Sequence, residues 1–127
     1  MKVKTTDLHW LAGVLEGEGS FTVNRGHTIR NQNPTPIISL QMCDYDIVRR
    51  VCYLLDQNIN IVRATNTHRP VYRVSIANAR AIGWMFTLYL LMGERRREQI
   101  RIVVDAWKSH KARIRARTVW RKYGKKT

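Results

Sequence analysis

Cysteine and long apolar runs are scarce in this chain of 127 residues, and each shortage excludes a class of protein. Two cysteines, Cys43 and Cys52, cannot form a disulfide framework. Cys52 falls in an apolar helical run, so we expect it in the core. Because no disulfide framework is possible, we expect a protein that works in a reducing, intracellular setting and is not secreted. The apolar run Ile82–Met92 is too short to cross a membrane, so no membrane partner is expected.

Acidic residues are also few, 9 against 23 lysines and arginines, which gives a formal charge of +14. A compact domain this basic usually meets a polyanion, and nucleic acid is the leading candidate over a merely basic soluble protein. From Lys108 to the end there are nine basic residues and no acid. This segment is either an arm on DNA phosphates or a solvated tail. Trp120 and Tyr123 favour the arm, with Lys111 and Arg113 as candidate DNA contacts.

Hydrophobic periodicity predicts an α+β domain with a mostly antiparallel sheet and helices on one of its faces. Thr6 and Asn78 are predicted to cap helices, and residues 68–70 to form a hairpin turn. A separate C-terminal helix and a basic tail would follow the core. The expected elements are helix Asp7–Glu16, strands Ser20–Asn24 and Thr35–Met42, a helix from Asp44 through Asp56, strands Ile59–Thr65 and Val71–Ile76, and helices Asn78–Met92 and Glu94–Trp107.

One face of these strands would be open, and its residues are hydrogen-bond donors and acceptors with arginine prominent. A surface of this composition can read base edges in a major groove, although an ordinary solvated sheet face looks similar. The candidate DNA contacts on this face are Thr22, Asn24, Ser39, Gln41, Arg63, Thr65, Arg73 and Ser75.

The first helix ends in an unusual run, Glu16-Gly17-Glu18-Gly19. Carboxylates at a helix C-terminus face the negative end of the dipole, so a bound divalent cation is an obvious compensation. Gly13 and Gly17 are costly inside a helix unless another backbone approaches closely, either a second helix or a strand of the same chain.

The string LAGVLEGEGSF over residues 11–21 closely resembles the signature of the LAGLIDADG homing endonucleases. The resemblance implies an αββαββα core over residues 1–107 with a saddle-shaped sheet on DNA, followed by a basic extension over residues 108–127. Only one copy of the motif is present, as in the single-motif members that work as homodimers. The expected dimer interface comprises Leu8, Leu11, Ala12, Gly13 and Glu16.

The same resemblance assigns chemistry to named positions. Glu18 occupies the metal-binding acidic position, and the Gly17 carbonyl is a further candidate ligand. Asp44 either positions a water or only caps a helix, and Glu16 is structural or stands behind the metal. The Arg95-Arg96-Arg97 run lies where related enzymes place a basic group that stabilises the transition state, with Arg96 and Arg97 as the candidates. Mg²⁺ is the expected cofactor, with Mn²⁺ or Ca²⁺ as substitutes for binding.

The function expected from these features is a site-specific homing endonuclease that breaks both strands of a long, near-palindromic DNA target. It would act on host DNA in a bacterial or phage cytoplasm or in an organelle. The alternative is a non-cleaving module of the same fold that binds RNA or regulates transcription. No histidine metal pattern or phosphate-binding glycine loop occurs, so neither a zinc site nor a small-molecule substrate is expected.

Overall fold

The computed structural model describes residues 3–25, 33–65 and 68–123. The helices and strands follow one another in the predicted order, and the fold class is the predicted α+β arrangement. A short 3₁₀ turn, Tyr89–Leu91, links the last two helices. The elements are α1 (Thr5–Glu18), β1 (Gly19–Arg25), β2 (Pro34–Met42), α2 (Tyr45–Leu55), β3 (Asn60–Thr65), β4 (His68–Ala77), α3 (Asn78–Leu88) and α4 (Glu94–Tyr123).

The four strands form one antiparallel sheet in the order β1-β2-β4-β3. β2 pairs with β4 only as far as Ile37 opposite Ala77, whereas its pairing with β1 continues to Pro34. Pro34 and Pro36 therefore lie where β2 has no partner on its second side, which suits residues without an N–H to donate. The β1–β2 hairpin projects beyond the rest of the sheet at this end.

Alternation along the strands gives the sheet a covered face and an open face. The side chains of Phe21, Ile38, Leu40, Val74 and Ile76 are all buried and belong to the hydrophobic core. Helices α1, α2, α3 and α4 supply the rest of that core from the same side. The residues between these positions point the other way, and they form the open face.

Helix starts differ from the predicted capping. α1 begins at Thr5 after Lys4, and no side chain caps it, so the predicted cap at Thr6 is wrong. α3 follows Ala77 without a side-chain cap, and Asn78 instead adopts a left-handed φ of 64° at the turn from strand to helix. Asparagine tolerates that conformation better than most residues, so the sharp turn, and not a cap, explains its presence.

Three element ends also differ from prediction. Residues 68–70 belong to β4, because strand pairing reaches Thr65 opposite His68 through bulges, and the predicted turn there is wrong. The third helix stops at Leu88, where the 3₁₀ turn takes over. The last helix does not end at Trp107: it continues to Tyr123, so the described part of the predicted basic tail is helical.

Candidate nucleic-acid interface

The first helix delivers an exposed carboxylate directly to the edge strand. α1 ends at Glu18 and β1 begins at Gly19, so no linker separates them. A Cβ at position 19 would lie 2.7 Å from Leu15 Cδ2 and 2.9 Å from Leu15 Cα, so only glycine allows this close approach. The Gly19 N–H donates to the Leu15 carbonyl. Gly17 and Glu18 are left exposed at the junction.

Glu16 is used differently from Glu18. Its carboxylate accepts a hydrogen bond from the Gly93 N–H at 3.1 Å, and its main-chain carbonyl accepts one from Arg96 Nε at 3.0 Å. A Cβ at Gly93 would lie 2.7 Å from Glu16 Oε1, so a side chain there would displace the carboxylate from this position. These contacts tie the end of α1 to the start of α4. They give Glu16 a structural role, one of the alternatives predicted for it.

The arginine run at the start of α4 divides into bound and unbound members. Arg96 is only 6% exposed, and it also donates from Nη1 to Gln99 Oε1 at 3.0 Å. Arg97 donates to the carbonyls of Tyr89 and Leu90 at 3.2 and 3.0 Å, which fixes the preceding 3₁₀ turn. Both side chains hold the fold together, and the catalytic roles predicted for Arg96 and Arg97 stay predictions.

Arg95 is the exposed member of the run, and it makes no hydrogen bond or ion pair within the described ranges. The nearby acids are taken by Arg101, whose Nη2 lies 2.8 Å from Glu94 and 2.6 Å from Glu98. The hydrogen bond from Arg101, aided by its charge, holds the pKa of Glu94 below its ordinary value. Arg95 is thus the basic group left available near the end of α1.

α1 has a core face and an open face. Leu11 and Ala12 are 0% and 3% exposed in the chain's own core, so their predicted place in a dimer interface is wrong. Leu8 also packs against that core, on the same side of the helix. Among the described residues outside the helix's own backbone, an added Cβ at Gly13 or Gly17 meets nothing within 4 Å. Intrachain packing therefore does not explain these two glycines, and they mark the open face.

The open face of the sheet carries two rows of polar side chains. In one row, Ser20 and Ser39 are Cα partners with hydroxyls 2.7 Å apart, and Ser39 is in turn the partner of Ser75. The second row crosses the next level of the sheet and comprises Gln41, Arg73 and Asn60. Thr22 and Asn24 extend the face along β1, and both are exposed.

The remaining predicted sheet contacts are placed only through their backbones. Arg63 pairs with Val71, and Thr65 pairs with His68, at the irregular end of the β3–β4 hairpin. Their side chains lie outside the described set, as does that of Arg113. Prediction from sequence missed Asn60, which pairs with Arg73; its place opposite an open-face residue was a signal only once the register was known.

Charge is segregated between the sheet and the helices. The strands contain four arginines and no acidic residue. All nine acids lie on helices or at their caps: Asp7, Glu16, Glu18, Asp44, Asp46, Asp56, Glu94, Glu98 and Asp105. An open sheet face without carboxylates suits a polyanionic partner, because no fixed negative charge repels phosphates there.

Two polar groups follow the last β1–β2 pair, in which Gly19 lies opposite Leu40. Because the two strands are antiparallel, the next position beyond this pair is Glu18 on the β1 side and Gln41 on the β2 side. Gln41 is exposed on the open face. Asp44 is exposed at the start of α2, but its side chain makes no capping hydrogen bond. The register thus brings Gln41, a predicted DNA contact, to the same level of the sheet as the catalytic candidate Glu18.

The second half of α4 leaves the globular body. The buried apolar residues of α4, Ile100, Val103 and Val104, lie in its first half and precede the half-buried Trp107. Lys111 lies over the Trp107 ring at 5.6 Å from its centroid, at the point where packing ends. Beyond it, the described side chains are exposed through Lys122.

Two negative findings concern the described residues alone. No three His, Cys, Asp or Glu side chains come together as a metal cluster in residues 3–25, 33–65 and 68–123. Within the same ranges, no helix has both the length and the apolar character needed to cross a membrane.

The sequence matches no protein-family model and no curated protein. Solved structures match its fold. An archaeal intron-encoded homing endonuclease, I-Vdi141I, complexed with DNA, has a TM-score of 0.62 at 16% identity, over 80% of this chain and 67% of that one. I-LtrWI, a LAGLIDADG homing endonuclease bound to target DNA, has a TM-score of 0.61 at 16% identity, over 87% and 39%. I-CvuI, solved with the I-CreI target in the presence of Mg, has a TM-score of 0.59 at 10% identity, over 84% and 73%.

The chain therefore has the fold of the LAGLIDADG homing endonucleases, as the resemblance of residues 11–21 predicted. The match covers most of this chain but only about two fifths of I-LtrWI. At these identities the likeness establishes the fold, with an open antiparallel sheet and helices on its other face.

Proposed function

We propose that the chain is a site-specific homing endonuclease that hydrolyses both strands of a long, near-palindromic DNA target with the help of Mg²⁺. The observation that carries the proposal is the position of Glu18: an exposed carboxylate at the junction with a sheet face that has arginines and no acid. The sheet would bind the duplex, and the end of α1 would meet the phosphate that is cut. The DNA-bound neighbours of the same fold support this assignment.

The residues present fit Mg²⁺ only as half of a site. Mg²⁺ keeps several waters and binds through one or two carboxylates, and each chain offers Glu18 together with the neighbouring Gly17 carbonyl. Two copies would supply two carboxylates, whose mutual repulsion favours a bound cation. When bound, the metal would supply an activated water and neutralise charge developing on the phosphate.

A homodimer would complete that site. The open face of α1 carries Gly13 and Gly17 with empty space beside each, and small residues are what allow two helices to cross closely. The glycines are unfavourable in an isolated helix, so a partner that needs them accounts for their presence. In this arrangement, α1 of each copy packs its glycine face on the other, and the two Glu18 carboxylates arrive side by side.

Polar and basic side chains near Glu18 would assist the reaction. Gln41 lies at the level of Glu18 on the open face, where its amide would orient a water near the cut phosphate. Arg95, free of internal hydrogen bonds in the described part of the chain, would stabilise negative charge in the transition state. Asp44 is retained as a polar group at the neighbouring start of α2.

The substitution Glu18→Gln tests the proposal, because it removes the charge and preserves the shape. Cleavage of a plasmid library with Mg²⁺ should fall by roughly a hundredfold or more, while DNA affinity measured by gel shift stays at the wild-type level. Asp105→Asn is the matched control, since Asp105 is exposed on α4 and its side chain makes no hydrogen bond or ion pair within the described residues.

Wild-type cutting by the Glu18 variant would remove that residue from the mechanism. If the wild-type protein binds DNA but never cuts it in Mg²⁺ or Mn²⁺, the chain is a binding module of the same fold, which is the alternative function. EDTA should stop cutting by the wild type, and excess Mg²⁺ should restore it.

A further inference from the structure

The second half of α4 is a rigid extension with a single sign of charge. We define the C-terminal arm as residues 108–123. It is helical throughout, contains seven lysines and arginines, and has no acid. The core contacts of α4 end at Trp107, and Lys108 still lies over the Phe86 ring, so at 1.5 Å per residue the arm is about 24 Å long beyond Trp107. The positive charge of this exposed helix suits a negatively charged partner.

The arm is unfavourable by itself. Lys111 and Arg115 are four residues apart, as are Arg117 and Arg121, so like charges are neighbours on the helix surface. No carboxylate lies within the arm to relieve this repulsion. A second copy of the arm would add more charge of the same sign, so pairing of two arms is disfavoured. A dense row of negative charges would relieve the repulsion instead.

We propose that the C-terminal arm lies along the phosphate backbone of duplex DNA, outside the base pairs contacted by the sheet. The proposal rests on the proposed function for the presence of DNA, and it adds a second, sequence-independent surface. Duplex DNA carries one charge per roughly 1.7 Å of its axis, so the arm matches about seven base pairs of backbone.

The composition of the arm favours phosphates over base edges. Apart from its basic residues it holds small, apolar and aromatic side chains, with His110, Ser109 and Thr118 as its other polar groups. The Thr118 hydroxyl already donates to the Ile114 carbonyl at 3.0 Å. No asparagine, glutamine or carboxylate is present to pair with adenine or cytosine. The arm therefore has charge for affinity along the whole backbone, and guanine is the one base that its arginines and lysines are suited to recognise.

The test is the salt dependence of binding to a random-sequence duplex, measured by fluorescence anisotropy on the full chain. Arg117→Gln with Arg121→Gln removes two arm charges and keeps good helix formers. Each lost phosphate contact removes about 0.9 from the slope of log K against log salt, so the slope should flatten by about 1.8. Affinity at physiological salt should fall by about tenfold or more, equally for random and target DNA.

The matched control is Lys4→Gln with Arg49→Gln, which removes the same charge from exposed positions on α1's N-terminal side and on α2. The control should keep the wild-type slope, and circular dichroism should give both double variants the wild-type helix content. Equal flattening by both pairs would reduce the effect to net charge and overturn the proposal, as would an unchanged slope in the arm variant. A change in cut-site preference would also overturn it, because the arm would then read bases. If the wild-type chain binds neither random nor target DNA, the proposed function itself is refuted.

Discussion

Two glutamates at the end of α1 differ by two positions in sequence and entirely in surroundings. Glu16 accepts the Gly93 N–H and belongs to the joint between α1 and α4, whereas Glu18 is exposed and meets no donor in the described part of the chain. Helical rotation separates them, because residues two apart do not share a helix face. A carboxylate held by the fold is unavailable to a metal, and a carboxylate at the junction with the sheet is available.

This difference predicts opposite results for matched substitutions. Glu16→Gln keeps an oxygen that can accept from Gly93, so we expect stability near wild type and cutting retained. Glu16→Ala loses the acceptor and should lower the free energy of unfolding by about 1–2 kcal/mol. Urea unfolding followed by tryptophan fluorescence measures the stability, and plasmid cutting measures the activity. Loss of cutting in a fully folded Gln variant would mean that the Glu16 charge takes part in the chemistry.

Among the helices, α1 has the arrangement most suited to assembly. Its core face is fixed by Leu11, Ala12 and Leu15, all buried in the chain itself. Its opposite face is open at Gly13 and Gly17, where an added Cβ would meet no described atom within 4 Å apart from the helix's own backbone and the adjacent residues. Gly19, by contrast, is explained within the chain by its approach to Leu15. Packing within the chain therefore explains Gly19 and leaves Gly13 and Gly17 to the proposed dimer.

The substitution Gly13→Leu separates folding from assembly. Within one chain there is space for the side chain, and replacing glycine in a helix should stabilise the monomer by up to about 1 kcal/mol. Between two crossing helices the side chain would collide, so the dimer should dissociate and DNA affinity should fall with it. Sedimentation velocity gives the mass, and thermal unfolding gives the stability.

Gly83→Leu provides the control, since Gly83 also lies in a helix with open space beside it, but on α3. It should leave the mass and the DNA affinity unchanged. A wild-type protein that is monomeric both free and on DNA would contradict the dimer, and so would a Gly13 variant that retains the wild-type mass.

At the scale of the whole molecule, charge is sorted by layer. The acids lie on the helices, the sheet carries arginines without acids, and the end of α4 adds a second basic surface. This division predicts two kinds of DNA contact: side chains on the sheet that discriminate bases, and an arm that adds affinity without discrimination. The two kinds can be separated experimentally, because only one of them depends on sequence.

The substitution Arg73→Ala tests the sheet. Arg73 is exposed in the polar row with Gln41 and Asn60, and a bidentate contact from arginine to guanine is worth roughly 1–3 kcal/mol of discrimination. Cleavage of a target library should therefore relax at particular base pairs and keep its preference at the others. Arg49→Ala on α2 removes the same charge away from the sheet and should leave the profile intact. An unaltered profile for Arg73→Ala would place that side chain in solvent or on a phosphate.

The sequence by itself determined the order of elements and the faces of the strands. Strict alternation in β2 and β4 left one assignment of Ile38 and Leu40 to the core, because a one-residue shift would bury the polar set. The string over residues 11–21 predicted the fold, and it made Glu18 the candidate metal ligand. These features are local, so no knowledge of distant contacts was needed.

Only the tertiary structure decided which groups are already engaged. Spacing could not distinguish Arg95 from Arg96 and Arg97, since their partners lie on α1 and in the 3₁₀ turn. The apolar spacing of α1 also placed Leu11 and Ala12 in an interface, because a helix face that packs on its own core has the same sequence pattern as one that packs on a partner. The pairing of Asn60 with Arg73 and the continuation of α4 past Trp107 depend on register and on helix cooperativity, and neither is encoded in the hydrophobic pattern of one segment.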